Sequence, residues 1–258
     1  MTSNLLSLQG KAAVVIGGTS GIGRALSLGL ADAGADTVAS ARRQELVDEV
    51  AAEIEARGRR TVRVCSDTRD RSSLEKLLSA AVEKFGKVDI LINCAGKTKK
   101  VPTLTMPDEV WNDILETNLT GTMRACQVFG KHMIERGAGR IINIASLSSY
   151  VGLFEVAAYC ASKAAVVSLT QSLAVEWSKH GVLVNAIAPG VFRTALNSEL
   201  LDGTPRGKEF LTRTPMGRFG RTEELIGAAV YLASDAASYT AGQVIAVDGG
   251  FLASGVNQ

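Results

Sequence analysis

The sequence predicts an α/β protein: one doubly wound domain, a parallel sheet with helices on both faces. Three observations carry that prediction. Short apolar runs alternate with longer helical patterns along the whole chain. The runs are apolar at consecutive positions, the pattern of strands covered on both faces. The first run leads directly into glycines and then a helix, as in a phosphate-binding βα unit.

Ala12–Ile16 is apolar throughout and reads as the first strand, followed by the glycines and the helical pattern Arg24–Ala33. Thr37–Ala41 and Thr61–Val64 are the second and third strand candidates, each followed by a helical stretch, Gln44–Arg57 and Ser72–Phe85. Val88–Ile92 is the fourth. A loop and two helices, near Pro107–Asn118 and at Thr122–Arg136, separate it from the fifth, Arg140–Ile144. The helix Ala157–Lys179 leads to the sixth strand, Val182–Ile187; the helix Glu223–Leu232 and the strand Val244–Val247 complete the pattern. Parallel strands joined through helices imply right-handed crossovers. No repeat, low-complexity tract or linker divides the chain, so residues 1–258 are expected to form one dinucleotide-binding and catalytic domain. The irregular stretch 192–220 follows the sixth strand and is expected to be a substrate lid.

The 258 residues suit one large α/β domain. With 46% apolar and 21% charged residues the composition is that of a globular chain, and a net charge of +2 calls for neither nucleic acid nor an anionic membrane as partner. Apolar runs are broken well short of a membrane span, and Met1 to Lys11 lacks a secretory pattern. The cysteines, at 65, 94, 126 and 160, form no CxxC pair and no cluster with His132 or His180, so no metal site is expected and a reduced, cytoplasmic setting is. Cys160, beside Tyr159, is a candidate for oxidation sensitivity.

Gly17-Gly18-Thr19-Ser20-Gly21-Ile22-Gly23 joins the first strand to the first helix. Gly17 suits a tight turn, Gly21 a close approach to pyrophosphate, and Gly23 the packing of helix on sheet. The spacing is Gly-x3-Gly-x-Gly rather than GxGxxG. Free N–H groups at the helix start attract phosphate. Where the adenosine ribose is read, at the end of the second strand, the chain has Ser40-Ala41-Arg42-Arg43 and no carboxylate. Guanidinium pairs with a 2′-phosphate, so NADP is expected over NAD, which stays possible; Arg42 is the leading contact and Arg43 the second.

Tyr159 and Lys163 lie one helical turn apart, and Ser146 precedes the tyrosine by thirteen residues. A cation beside a phenol lowers its pKa from about 10 and makes it a usable acid–base.

Together these residues resemble the short-chain dehydrogenase/reductase family over nearly the whole chain. The motifs, in order, are Gly17–Gly23, Asp67, Asn93-Cys94-Ala95-Gly96, Asn118, Ser146, Tyr159 with Lys163, and Pro189-Gly190 with Thr194. The resemblance implies a Rossmann-type sheet of seven strands, a nicotinamide cofactor and transfer of hydride at a carbon bearing oxygen. Tyr159 would then exchange the proton with the substrate oxygen, Ser146 would hold that oxygen, and Lys163 would lower the tyrosine pKa and bind the nicotinamide ribose. Asn118 would anchor a proton relay to that lysine. Asn93, Ala95 and Gly96 would support the sheet beside the cofactor, and Asp67 would stand near the adenine. Pro189, Gly190 and Val191 would seat the nicotinamide, with Thr194 on its carboxamide. Ile16 and Cys94 depart from the family's commoner Thr and Asn.

The chain is more loosely similar to sugar-acid dehydrogenases of the gluconate 5-dehydrogenase type, which implies gluconate/5-ketogluconate interconversion. Lys99, in Lys97-Thr98-Lys99-Lys100, and Arg193 are candidate cations for a carboxylate; Ser148, Ser149 and Glu155 could face hydroxyls. Two alternatives stay open: reduction of 3-oxoacyl groups on a carrier protein, and a non-catalytic NADP sensor. The family further implies a homo-oligomer, expected as a tetramer through Thr122–Arg136 and Ala157–Lys179, with the apolar tail Phe251–Gln258 packed on a partner subunit.

Overall fold

The computed structural model describes residues 4–194 and 197–257. Its sheet has six parallel strands, β1 (Ala12–Ile16), β2 (Asp36–Ser40), β3 (Ile90–Asn93), β4 (Gly139–Ile144), β5 (Val182–Pro189) and β6 (Val244–Val247), in the order β2-β1-β3-β4-β5-β6. The order reverses at β1: Ile16 pairs with Ser40 on one side and with Asn93 on the other. A crevice opens outside the strand C-termini at such a switch point, and there the site lies.

The helices are α1 (Gly21–Asp32), α2 (Gln44–Ala56), α3 (Arg71–Phe85), α4 (Asp108–Leu115), α5 (Gly121–Glu135), α6 (Ala157–Trp177), α7 (Ser198–Leu201), α8 (Pro205–Arg213) and α9 (Ile226–Ala233). Side chains alternate along each strand, so the core splits into two layers. Val14, Ile16, Leu91, Ile141 and Val184 pack with Leu77 of α3, Phe129 and Met133 of α5, and Leu173 of α6. Ala13, Val15, Ile90, Ile92 and Ile142 pack with Leu26 and Leu30 of α1, and with Ala229 and Leu232 of α9.

The expected seventh strand is absent among the described residues. Thr61–Val64 runs beside β2 but forms no ladder with it. Backbone bonds join the two only at the ends, Thr37 N–H to the Arg60 carbonyl and Ser66 N–H to the Ala41 carbonyl. Between them the Ser40 hydroxyl takes the Val64 carbonyl at 2.6 Å, so a side chain stands in for a ladder bond.

Between α4 and α5 the helix widens into a π turn at Glu116–Thr120, which carries the fully buried Asn118. Single π turns are frequent at functional sites. The 192–220 excursion leaves and returns at one point, where Phe192 bridges Gly220 and the Gly220 N–H donates to the Val191 carbonyl. It carries α7 and α8; positions 195 and 196 of the expected lid lie outside the described residues. Helix α8 begins at Pro205, and the Thr204 hydroxyl accepts from the Gly207 N–H at 3.0 Å, a side-chain N-cap.

Part of the tail packs on its own chain. Phe251 is buried within its own chain, its ring 6.2 Å from that of Phe210 on α8, with the Arg213 guanidinium 5.0 Å above it. Asn257 donates to the Thr212 carbonyl at 2.7 Å. The apolar ring finds cover on α8, while Val256 further along the tail stays exposed. Gln258 lies outside the described residues. Among those described, no helix is long and apolar enough to cross a membrane.

Candidate active site

A cavity of about 960 Å³ runs along the C-terminal ends of the strands, past Ile16, Ala41, Cys94, Ile144 and Pro189. One end is the glycine turn. Gly17 has φ +77°, and a Cβ there would lie 2.6 Å from the Ala95 nitrogen, so the turns after β1 and β3 touch. A Cβ at Gly23 would lie 2.0 Å from the Gly17 carbonyl oxygen, which excludes any side chain. Gly21, at φ +48°, faces the Thr194 side chain across the cavity, 3.3 Å from where its Cβ would be. Ser20 precedes α1 without capping it by its side chain, and the first turn of α1 has no acidic residue. Unpaired N–H groups and the positive helix end therefore meet the cavity, a fit for pyrophosphate. Thr19, Ser20, Ile22 and Gly23 line this end.

Arg42 and Arg43 also line the cavity, both exposed, and neither guanidinium has an ion pair or hydrogen-bond partner among the described residues. They fit an added phosphate. Asp67 lines the same end, but its carboxylate is held by Arg69, 2.9 Å away, which keeps it below the usual carboxylate range.

The middle of the cavity joins Ser146, after β4, with Tyr159 and Lys163 of α6. The Ser146 hydroxyl accepts from the Ser148 N–H at 3.1 Å, which fixes its direction. Lys163 is nearly fully buried; its Nζ donates to the Ile144 carbonyl at 2.6 Å and stands 5.9 Å from the centre of the Tyr159 ring. Burial brings the ammonium down to about 8. The expected lowering of the Tyr159 pKa does not occur here: burial pushes the phenol up, opposed by the Ser146 hydroxyl.

Asn118 stands beside this lysine across Gly96: a Cβ on Gly96 would lie 3.5 Å from its Oδ1 and 3.6 Å from Lys163 Nζ. Its amide is committed, accepting from the Lys97 N–H and donating to the Lys97 carbonyl and the Ser162 hydroxyl. Asn93 lies off the cavity and braces β3 to β4, its Nδ2 donating to Asn143 Oδ1 at 2.9 Å; Asn143 donates in turn to the Thr170 hydroxyl. Burial raises the Cys94 thiol to about 11, so it is inert.

Pro189, Gly190, Val191 and Thr194 line the far end. A Cβ on Gly190 would come within 2.6 Å of the Asp248 Cα, so the backbone passes β6 closely. Asn197, which sequence reasoning missed, holds this turn: its side chain accepts from the Thr194 N–H and donates to the Phe192 carbonyl.

Three expected substrate contacts fall elsewhere. Lys99 and Ser148 do not line the cavity, and Ser148 is buried. Arg193 turns out to Asp202, 2.5 Å away. Ser149 spends its hydroxyl on the Lys163 carbonyl, and Glu155 pairs with Lys100. Lys97, Lys100 and Arg206 do line the cavity; the Lys97 ammonium turns to Asp113, which also lies 3.9 Å from the Arg69 that holds Asp67. Neighbouring loop residues point opposite ways, and no local pattern says which faces inward. Among the described residues no group of three His, Cys, Asp or Glu side chains gathers as a metal site.

A family model described as enoyl-(acyl carrier protein) reductase matches residues 16–252. The chain is 41% identical over 256 residues to 2-dehydro-3-deoxy-D-gluconate 5-dehydrogenase of Dickeya dadantii, covering 98% of this chain and 100% of that one. It is 40% identical to D-threitol dehydrogenase of Mycolicibacterium smegmatis, covering 95% and 94%. The crystal structure of a gluconate 5-dehydrogenase from Burkholderia cenocepacia in complex with NADP and tartrate superposes with a TM-score of 0.94 at 34% identity, covering 98% and 99%. With the ordered motifs and the Ser146–Tyr159–Lys163 site, these matches place the chain in the short-chain dehydrogenase/reductase family of oxidoreductases.

Proposed function

We propose that the protein interconverts a secondary alcohol and a ketone on a sugar acid, of the gluconate/5-ketogluconate kind, with NADP. The observation that carries this reading is one cavity with a phosphate-binding turn and two unpaired arginines at one end, Ser146, Tyr159 and Lys163 in the middle, and basic side chains at the other. The relatives named for gluconate and deoxygluconate oxidation support the substrate class, and the NADP-bound relative supports the cofactor.

NADP, when bound, supplies or accepts the hydride. The first turn of α1 holds its pyrophosphate, Arg42 and Arg43 its 2′-phosphate, and Gly190, Val191 and Thr194 its nicotinamide end. Lys163 binds the nicotinamide ribose. Ser146 holds the substrate oxygen, and Tyr159 gives or takes its proton. Asn118 fixes the Gly96–Lys97 wall against Lys163 and sits on the proton path behind that lysine. Alignment and proton transfer are the effects asked of the protein.

A neutral polyol is the competing substrate, since the D-threitol relative is about as similar. Turnover of NADPH and NADH against ketoaldonates, ketoses and acetoacetyl thioesters, with the matching alcohols in reverse, tests the reading. Sugar acids are expected to be preferred, with NADP(H). Preference for acetoacetyl thioesters would point to carrier-bound 3-oxoacyl reduction; no turnover at all would point to a cofactor sensor.

A further inference from the structure

We propose that Arg206, on the lid helix α8, is the residue that reads the substrate carboxylate; this rests on the sugar-acid reading above. Beyond Arg42, Arg43, Arg69 and Lys163, the cations lining the cavity among the described residues are Lys97, Lys100 and Arg206. Two of them are already neutralised. Lys97 pairs with Asp113, and Lys100 with Glu155 at 3.1 Å. Arg206 has no carboxylate partner among the described residues. Its Nη1 donates to the Phe154 carbonyl at 3.1 Å, and its guanidinium lies 5.6 Å over the Phe210 ring. A guanidinium has five N–H donors, so this one keeps a free edge. That edge matches a carboxylate by two parallel bonds. Because the carbonyl and the ring already hold the side chain, little rotamer freedom is lost when an anion binds.

The surroundings tie this charge to the reacting centre. Phe154 belongs to the loop that leads into α6 and Tyr159. Next to it, Glu155 is the only non-glycine residue at positive φ among those described, +58°. Its carboxylate pairs with Lys100, and its carbonyl accepts from the Val101 N–H at 2.8 Å. A strained residue held by bonds on two sides marks a place the fold keeps in one geometry. The lid, the loop before Tyr159 and the loop after β3 therefore meet at Phe154–Glu155. An acid held by Arg206 rests against all three walls with charge-assisted bonds, whereas a neutral polyol offers the cation only weaker hydroxyl acceptors. Arg206 thus sets the preference for acid over polyol.

The test compares wild type, Arg206→Gln and Arg206→Lys by steady-state kinetics with gluconate and threitol, and by calorimetric titration of gluconate into the NADP-loaded protein. Arg206→Gln is expected to raise the gluconate KM and Kd about tenfold or more, the worth of a charge-assisted bond. Its kcat, its NADP KM and any threitol turnover should stay near wild type, and Arg206→Lys should recover part of the loss. Gluconate binding and KM unchanged in Arg206→Gln would overturn the assignment. So would an equal loss on both substrates, which would mean that Arg206 only shapes the lid. A wild type that neither binds nor oxidises gluconate or another aldonic acid would overturn the sugar-acid reading, and Arg206's role with it.

Discussion

Burial moves Tyr159 and Lys163 in opposite directions, the phenol up and the ammonium down to about 8. Both shifts favour the uncharged form, as low dielectric does. A protonated phenol is ready to donate at neutral pH, which suits ketone reduction; alcohol oxidation needs the phenolate. The kcat/KM for oxidation is therefore expected to climb with pH through the alkaline range while that for reduction falls. Flat profiles in both directions would contradict the role of Tyr159. Tyr159→Phe should cost about 100- to 10,000-fold in rate, the usual worth of a general acid–base, with NADPH binding by fluorescence titration unchanged. The lysine shift has a stability consequence as well. Its folded pKa lies below the ordinary lysine value, so in the window between them the unfolded chain holds a proton that the folded chain lacks. This contribution to stability grows as pH rises from about 8 toward about 10 and is lost as pH falls through about 8. The urea midpoint of wild type relative to Lys163→Met should rise across that window. At the other end of the cavity, Arg42→Ala should raise the NADPH KM about tenfold and leave the NADH KM near its original value; equal effects on both would refute a 2′-phosphate contact.

Helix α8 links the 192–220 excursion to the C-terminal tail. Phe251 packs on Phe210 and lies under Arg213, while Phe210 and Arg206 face the cavity. The tail thus backs a wall of the cavity. Removing the ring leaves a hole that the lid can fill only in part. Phe251→Ala is expected to cost about 3 kcal/mol of stability and to raise the substrate KM more than the NADP KM, checked by urea denaturation and kinetics. The helices and strands were legible in the chain because their signals are local: apolar runs for strands covered on both faces, helical periodicity for the rest. Thr61–Val64 misleads because its own composition suits a strand; whether β2 offers it a ladder depends on Ser40, twenty-four residues from Val64.

At the scale of the molecule, the apolar residues of α6 divide between two uses. Val166 and Ala174 are buried in the chain's own core, while Val175 is 83% exposed. Leu104 and Phe154 are further large apolar side chains left open. These exposed apolar side chains are candidates for contact with further copies of the chain, and we propose a homotetramer. Light scattering during gel filtration should give the mass of four chains; a monomer would refute it.

By itself the sequence determined the doubly wound fold and the order of its motifs. It also placed the Tyr159–Lys163 pair, because a helix sets residues four apart on one face whatever surrounds them. The glycines of the first turn were readable for the same reason, since a positive φ or a close approach demands glycine locally. Tertiary structure alone decided which way the tyrosine pKa moves, because that depends on burial, which no spacing gives. It also decided which cations line the cavity. The sequence offered Lys99 and Arg193, but Lys100 and Arg206 line it instead, the latter held by a contact with the Phe154 carbonyl, fifty-two residues away.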